Sequence, residues 1–329
     1  MAYDIDAQGG VSFGGRVVPV PRTISPEAQA FLATPPWEEA PPATGEPIPM
    51  WAMREHVDQQ MGALSQMAQQ MFPVSVEEIQ VAGVRVHLIK PLDMPPENQG
   101  KVLMNLHGGG FVLSSGALAE AIPIAAKAKV TVMAVDYRLA PENPFPAAVD
   151  DAVAVYKTML DYHRPDQIGI YGSSAGGFIT GQALMRLKQE GLPLPACAGV
   201  FTAGGALDNL GDTANIFTLM GFWGDLILPT DHKVSEIRAY LNGADAKDPA
   251  VSPIYGDVSH FPPTLLMSGT RDAVLSSAST FHRALRRADV DAELYVFDAM
   301  PHAHWYMLHL PEAQEALDIQ AAFFLKHLK

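Results

Sequence analysis

Between Val102 and Phe297 the chain repeats one theme: a short apolar run, a glycine-rich or polar break, a stretch of helical pattern, and then another apolar run. The runs are Val102 to Leu106, Thr131 to Val135, Ile168 to Tyr171, Gly199 to Thr202, Thr264 to Ser268 and Glu293 to Phe297. A run that is apolar throughout has no face to offer water, so it must be covered on both sides, which is the condition of parallel strands joined by helical crossovers. The stretches Ala147 to Leu160, Ala175 to Glu190 closed by Gly191, Ser277 to Ala288, and Glu312 to Lys326 supply that cover. The pattern predicts an α/β fold with a mostly parallel central sheet flanked by helices.

Outside this rhythm lie two other territories. From Val76, "VEEIQVAG" and "VRVHLIKP" alternate apolar and polar residues around Gly83, the mark of a hairpin. Before them, proline clusters from Thr34 to Pro49 precede a Met/Gln-rich run, Met50 to Met71, whose Trp51, Val57, Met61, Leu64, Met67 and Met71 fall near helical spacing. Residues 1–75 therefore read as an N-terminal helical cap segment, a flap and not a sheet, and 76–329 as the α/β domain. Between Thr202 and Thr264 a long interval opens with glycines and contains no clear strand, so a second cap insertion is expected at about 204–245.

The net charge of −14 sets like charge against phosphate, which argues against a nucleic-acid surface or a basic membrane patch and for a small or neutral partner. A single cysteine, Cys197, cannot close an internal disulfide. The opening residues lack a basic start and an apolar run, and no stretch is long and apolar enough to span a bilayer, so a cytoplasmic protein without stable membrane insertion is expected.

Chemistry concentrates first in "IGIYGSSAGGF", Ile168 to Phe178. Of its two serines only Ser174 has glycine both two before and two after it, at Gly172 and Gly176. A serine on a tight strand-to-helix turn adopts strained backbone angles and its neighbours at those offsets crowd the facing strand and helix, so glycine is needed there. Such a turn lifts the hydroxyl above the sheet edge and aims the helix N-terminus at it. The second concentration is "NLHGGGF", Asn105 to Phe111, after an earlier strand. Three glycines let backbone N–H groups turn inward to hold an oxyanion, and Gly109 and Gly110, with the N–H of Ala175, are the expected donors. His107 reads as a structural tie for the glycine turn. No Lys-Ser/Thr follows the glycines, so a phosphate cradle is a weak reading.

With these motifs in hand, the sequence resembles the α/β-hydrolase fold and, within it, the hormone-sensitive-lipase-like (bacterial family IV) esterases. The carriers are "HGGGF" at His107, "VDYRLAPENPFPAAVDD" at Val135, "GSSAGG" at Gly172, "SPIYGDVSHFPPTLLMSGTRDAVL" at Ser252 and "MPHAHW" at Met300. The likeness runs from about Val76 to the C-terminus, and the N-terminal part matches only as a helical cap region. In this fold the acid and base follow the nucleophile in the order Ser, Asp, His, each in a loop after a later strand, which implies Asp272 after "TLLMSG" and His302 after "ELYVFD". His304 rivals His302, but the family places a small residue and then an aromatic after its histidine, which leaves His304 at the aromatic's place. Asp298 rivals Asp272, but lies in the same loop as His302. Many relatives carry a further acid where Ser276 stands, so a contact that fixes the loop is expected to be missing, and an Asp where Ser173 stands.

"YRLAPE" reads as support for the oxyanion loop, with Arg138 and Glu142 suited to pair. Trp51, Met53, Ile216, Phe217, Met220, Phe222 and Trp223 suit an acyl pocket, Met220, Phe222 and Trp223 foremost, although an apolar stripe at this spacing is as readily packing. No metal-ligand spacing and no dinucleotide-binding glycine motif occurs, so no metal or cofactor is implied. The resemblance thus implies a cofactor-free serine hydrolase for short- to medium-chain esters, working through an acyl-enzyme. A lactone hydrolase, a deacetylase or an acyl transferase would use the same residues. A non-catalytic small-molecule receptor on this fold would be expected to lack the base. The resemblance also suggests a homodimer paired through the edge strand near Glu293 to Phe297.

Overall fold

The computed structural model describes residues 3–5, 11–13, 16–33, 49–216 and 231–329. The chain opens with three short strands, β1 (Tyr3–Ile5), β2 (Val11–Phe13) and β3 (Arg16–Val18), which pair antiparallel in that order. This corrects the expectation that residues 1–75 form a purely helical flap. Each strand has only three residues, too few for an alternating period to register, and the glycine pairs at 9–10 and 14–15 that separate them are the only sequence signal. Helix α1 (Pro26–Ala33) follows, and α2 (Met50–Met71) occupies the whole Met/Gln-rich run.

Strands β4 (Val74–Val81) and β5 (Val84–Pro91) form the expected hairpin, turning at Ala82 and Gly83, both with positive φ. The α/β rhythm then proceeds through β6 (Val102–Leu106), α3 (Ala121–Ala128), β7 (Thr131–Asp136), α4 (Ala147–Leu160), β8 (Ile168–Ser173), α5 (Ala175–Gln189) and β9 (Cys197–Phe201). After α6 (Thr213–Ile216) and α7 (Asp231–Leu241) come β10 (Thr264–Gly269), α8 (Leu275–Arg287), β11 (Ala292–Phe297) and α9 (Pro311–His327). Helix α3 was not anticipated, and Pro123 does not break it. The proline falls in the first turn, where the missing N–H would have had no intrahelical partner.

The main sheet among the described residues has the order β11-β10-β9-β8-β6-β7-β5-β4. It is parallel from β11 to β7 and antiparallel at β5 and β4. Strands β6, β8, β9 and β10 are buried at every position, as two-sided cover requires. Alternate residues feed opposite cores. Met104 and Leu106 pack with Val149 and Ala152 of α4 and Ile179 of α5, whereas Leu103 packs with Ile124 of α3 and Phe324 of α9. Strand β11 forms one edge, with Tyr295 and Val296 exposed.

The order has one reversal that matters. The chain leaves β6 for β7 on one side and returns past it to β8 on the other, so the segments after β6 and β8 diverge and open a crevice at the carboxyl ends of the strands. Those segments carry "HGGG" and "SSAGG".

The N-terminal region is tied into this core. Ile24, Ala28 and Leu32 pack on Ala299, Met300, Leu310 and Ala313, and the Ser25 hydroxyl donates to the Glu312 carboxylate at 2.8 Å. Arg54 on α2 donates to the carbonyls of Val112 and Ala140, each at 2.8 Å, and forks onto Glu142.

Candidate active site

Ser174 sits between the last residue of β8 and the first of α5 with φ 55° and ψ −122°, a conformation that L-residues avoid. Its neighbours explain how the turn stays so tight. A Cβ on Gly172 would stand 2.3 Å from the Leu106 carbonyl oxygen, and one on Gly176 only 1.8 Å from the same atom. These obstacles are backbone, so no side-chain rearrangement relieves them, and glycine is required at both offsets. The two serines are told apart by their surroundings. Ser173 is fully buried and its hydroxyl donates to Glu120, whereas Ser174 is only half-buried, with its N–H held by the Phe201 carbonyl at 2.9 Å.

The glycine loop after β6 lies against this turn, since a Cβ on Gly108 would touch the Ser174 Cβ at 3.4 Å. Gly109, Gly110 and Phe111 have φ of 120°, 60° and 70°. A side chain on Gly109 would run into the Leu113 carbonyl oxygen at 2.3 Å, and one on Gly110 would meet the Glu236 carboxylate of α7 at 2.5 Å. Ala175 is buried as the first residue of α5, at the helix end where N–H groups lack intrahelical partners. His107 acts as the tie expected of it. Burial pushes its pKa down and keeps the ring neutral, Nδ1 donates to the Gly108 carbonyl at 2.7 Å, and the ring stacks on Tyr137 at 4.2 Å. The Tyr137 hydroxyl in turn donates to the His107 carbonyl at 2.6 Å.

The expected Arg138–Glu142 pair does not form. Arg138 forks onto Asp151 of α4, with Nη2 to Oδ1 at 2.7 Å, and Glu142 is taken by Arg54. The reason lies in α2, which brings a second guanidinium to the segment from a distance that sequence spacing along "YRLAPE" cannot reveal.

Asp272 follows β10 and His302 follows β11, and His302 Nδ1 donates to Asp272 Oδ1 at 2.8 Å. Asp272 is fully buried. Burial alone would push its pKa up, yet the His302 imidazole and the Thr202 and Ser268 hydroxyls hold it down to about 2. The Val274 N–H adds a further bond at 3.1 Å. Because Nδ1 carries the proton shared with the carboxylate, Nε2 is left with a free lone pair, the arrangement of a general base. Thr202 joins the two halves of the site. The preceding residue, Phe201, holds the Ser174 N–H, while the Thr202 hydroxyl donates to Asp272 and lies 3.2 Å from His302 Nδ1.

The rival residues are placed elsewhere. His304 is fully buried against Phe297 and Trp305, and burial pushes its pKa down to about 4, so it stays neutral as a core residue. Asp298 receives the hydroxyls of Thr23 and Thr270. Ser276 does supply a loop contact, contrary to expectation: its hydroxyl accepts from the Thr213 N–H and its own N–H donates to the Thr213 hydroxyl, each at 3.0 Å. Met220, Phe222 and Trp223, together with Phe217, lie outside the described residues, as does the Ile216 side chain. Met53 is half-buried, and Trp51 is 69% exposed. Above the glycine loop, the Tyr240 ring of α7 instead stacks on Phe111 at 4.0 Å.

Thr202, Ser268, Glu120 and Arg54 were missed by sequence reasoning. Each works through a partner far along the chain, and none belongs to a motif with fixed spacing. Among the described residues no three His, Cys, Asp or Glu side chains gather as a metal site would require, and no helix is long and apolar enough to cross a membrane.

Residues 103–306 match the family model described as the alpha/beta hydrolase fold. The chain is 33% identical over 235 residues to an acetyl-hydrolase of Streptomyces hygroscopicus, covering 70% of this chain and 77% of that protein. It is 30% identical over 256 residues to an esterase of Acinetobacter venetianus, covering 76% and 82%. Among solved structures, the esterase E25 superposes with a TM-score of 0.83 at 34% identity, covering 97% of this chain and 99% of its own. An esterase from the bacterial hormone-sensitive lipase family superposes with a TM-score of 0.78 at 30% identity, covering 87% and 94%.

Proposed function

This chain belongs to the α/β-hydrolase fold family and is a carboxylesterase resembling hormone-sensitive lipase, and from that premise we propose that Ser174, His302 and Asp272 are its catalytic triad. The observation that carries the reading is the half-buried His302 paired with the buried Asp272 at the same end of the sheet as a serine held at φ 55° between glycines that nothing larger can replace.

On this reading His302 Nε2 takes the Ser174 proton as the oxygen attacks the ester carbonyl, and Asp272 stabilises the resulting imidazolium. The carbonyl oxygen becomes an oxyanion that accepts hydrogen bonds from the N–H groups of Gly109, Gly110 and Ala175. His302 then protonates the departing alcohol, leaving an acyl-serine. Water, deprotonated by the same imidazole, adds to that carbonyl, and the carboxylic acid leaves as Ser174 regains its proton.

The resemblance favours short to medium acyl chains. A second reading, removal of acetyl groups, is favoured by the likeness to a protein named acetyl-hydrolase. Steady-state hydrolysis of p-nitrophenyl acetate, butyrate, octanoate and palmitate tests both. We expect kcat/KM to peak at acetate or butyrate and to fall at least tenfold at palmitate. A maximum at palmitate would overturn the assignment of chain length, and no hydrolysis of any of the four would overturn the triad.

A further inference from the structure

Behind the nucleophile turn lies a carboxyl group that the mechanism above does not use. Glu120 immediately precedes α3, is 2% exposed, and gathers three donors from three separate segments of the site. Ser173, adjacent to Ser174, donates its hydroxyl to Oε1. Asn105, two residues before His107 at the end of β6, donates its amide to Oε2 at 3.3 Å, and Tyr306, four residues after His302, donates its hydroxyl to the same oxygen at 3.3 Å. We propose that Glu120 is a positioning residue, whose ionised carboxylate ties the nucleophile turn, the oxyanion strand and the segment behind the catalytic histidine into one rigid unit.

The chemistry of the cluster favours the ionised form for this task. A carboxylate is an acceptor only, and it meets three groups able to donate; a protonated carboxyl sets its own O–H against one of them. Protonation therefore loosens one of the three ties. Burial pushes the Glu120 pKa up to about 7, with the bonds from Ser173, Asn105 and Tyr306 and the nearby Trp305 indole pulling the other way, so the change falls within the working range of an esterase. The titratable groups its charge reaches are the phenols of Tyr137, Tyr171 and Tyr306, which burial keeps protonated. On the elements packed against α3, His87 of β5 faces Asp136 and Arg85, Asp58 of α2 faces Arg54 and Ser114, and Asp318 of α9 pairs with Lys127.

This inference rests on Ser174 being the nucleophile, and its test is separable from that reading. In E120Q one of the two accepting oxygens becomes an NH2 that must face a group donating to that position, and the variant cannot ionise. With p-nitrophenyl butyrate at pH 8 we expect kcat to fall tenfold or more with KM within twofold. On the acid side the wild-type log kcat should fall more steeply than that of E120Q, which has no carboxyl to protonate at this position. S173A removes a donor that favours the charged form, so its acid limb should move to higher pH. E120D should keep the steep slope. Because a buried carboxylate with raised pKa destabilises the fold once the pH passes its ordinary range, E120Q should melt no lower than wild type at pH 8, which separates lost positioning from lost folding. An acid limb unchanged in both E120Q and S173A, in an enzyme that S174A inactivates, would overturn the role of Glu120 and leave the triad standing.

Discussion

Asp272 shows how much one residue can carry. Its carboxylate is buried, yet accepts bonds from His302, Thr202, Ser268 and the Val274 N–H, which is why the group stays ionised where burial alone would neutralise it. In D272N the amide offers a donor to His302 Nδ1 and favours the wrong tautomer, so kcat is expected to fall by about 10³–10⁴-fold with little change in KM, measured on p-nitrophenyl butyrate. The same pair sets a stability window. The folded pKa lies below the ordinary 3.8, so the stabilisation is complete above that value and is lost as pH falls toward about 2. Melting curves of wild type and D272N should therefore differ at pH 6 and converge between pH 4 and pH 2. At this scale the sequence was informative where backbone geometry restricts residue choice, as at Gly172, Ser174 and Gly176. It was silent on Thr202 and Glu120, because a hydroxyl at a strand end and a carboxyl before a helix acquire a role only from partners brought in by the fold.

Helix α2 behaves as a brace for the glycine loop after β6. Its Arg54 reaches Val112 just past the glycines, then Ala140 and Glu142 on the neighbouring segment, so one guanidinium fixes two loops. R54A leaves two carbonyls and a carboxylate without that donor and should lower stability by about 1–3 kcal/mol, while R54K should recover less than half, since an ammonium cannot fork. Hydrogen exchange should accelerate in residues 109–115 of R54A; unchanged protection there would rule out the brace. Elements of this kind were partly legible beforehand. The long amphipathic run of α2 and the apolar strands β6 to β11 declare themselves by period and burial, whereas β1 to β3 are too short to show one. The contact between α2 and "YRLAPE" is tertiary, and Arg138 and Glu142, four residues apart in sequence, are drawn instead to Asp151 and Arg54.

For the molecule as a whole, the sheet order decides where chemistry can occur. The reversal between β6 and β8 brings the glycine loop and the serine turn to one crevice, and the loops after β9, β10 and β11 bring Thr202, Asp272 and His302 to the same end. The pattern of alternating runs foretold the sheet, but the order of its strands and the docking of residues 20–32 on the segments either side of His302 came from packing between distant parts of the chain. The proposed triad requires that one hydroxyl, that of Ser174, be activated. Treating wild type and S174A with diethyl p-nitrophenyl phosphate, and mapping the adduct by peptide mass spectrometry alongside ester turnover, tests it directly. One diethylphosphoryl group is expected on Ser174 in step with loss of activity, and neither adduct nor turnover in S174A. Phosphorylation of Ser173 or of another residue, or hydrolysis persisting in S174A, would contradict it.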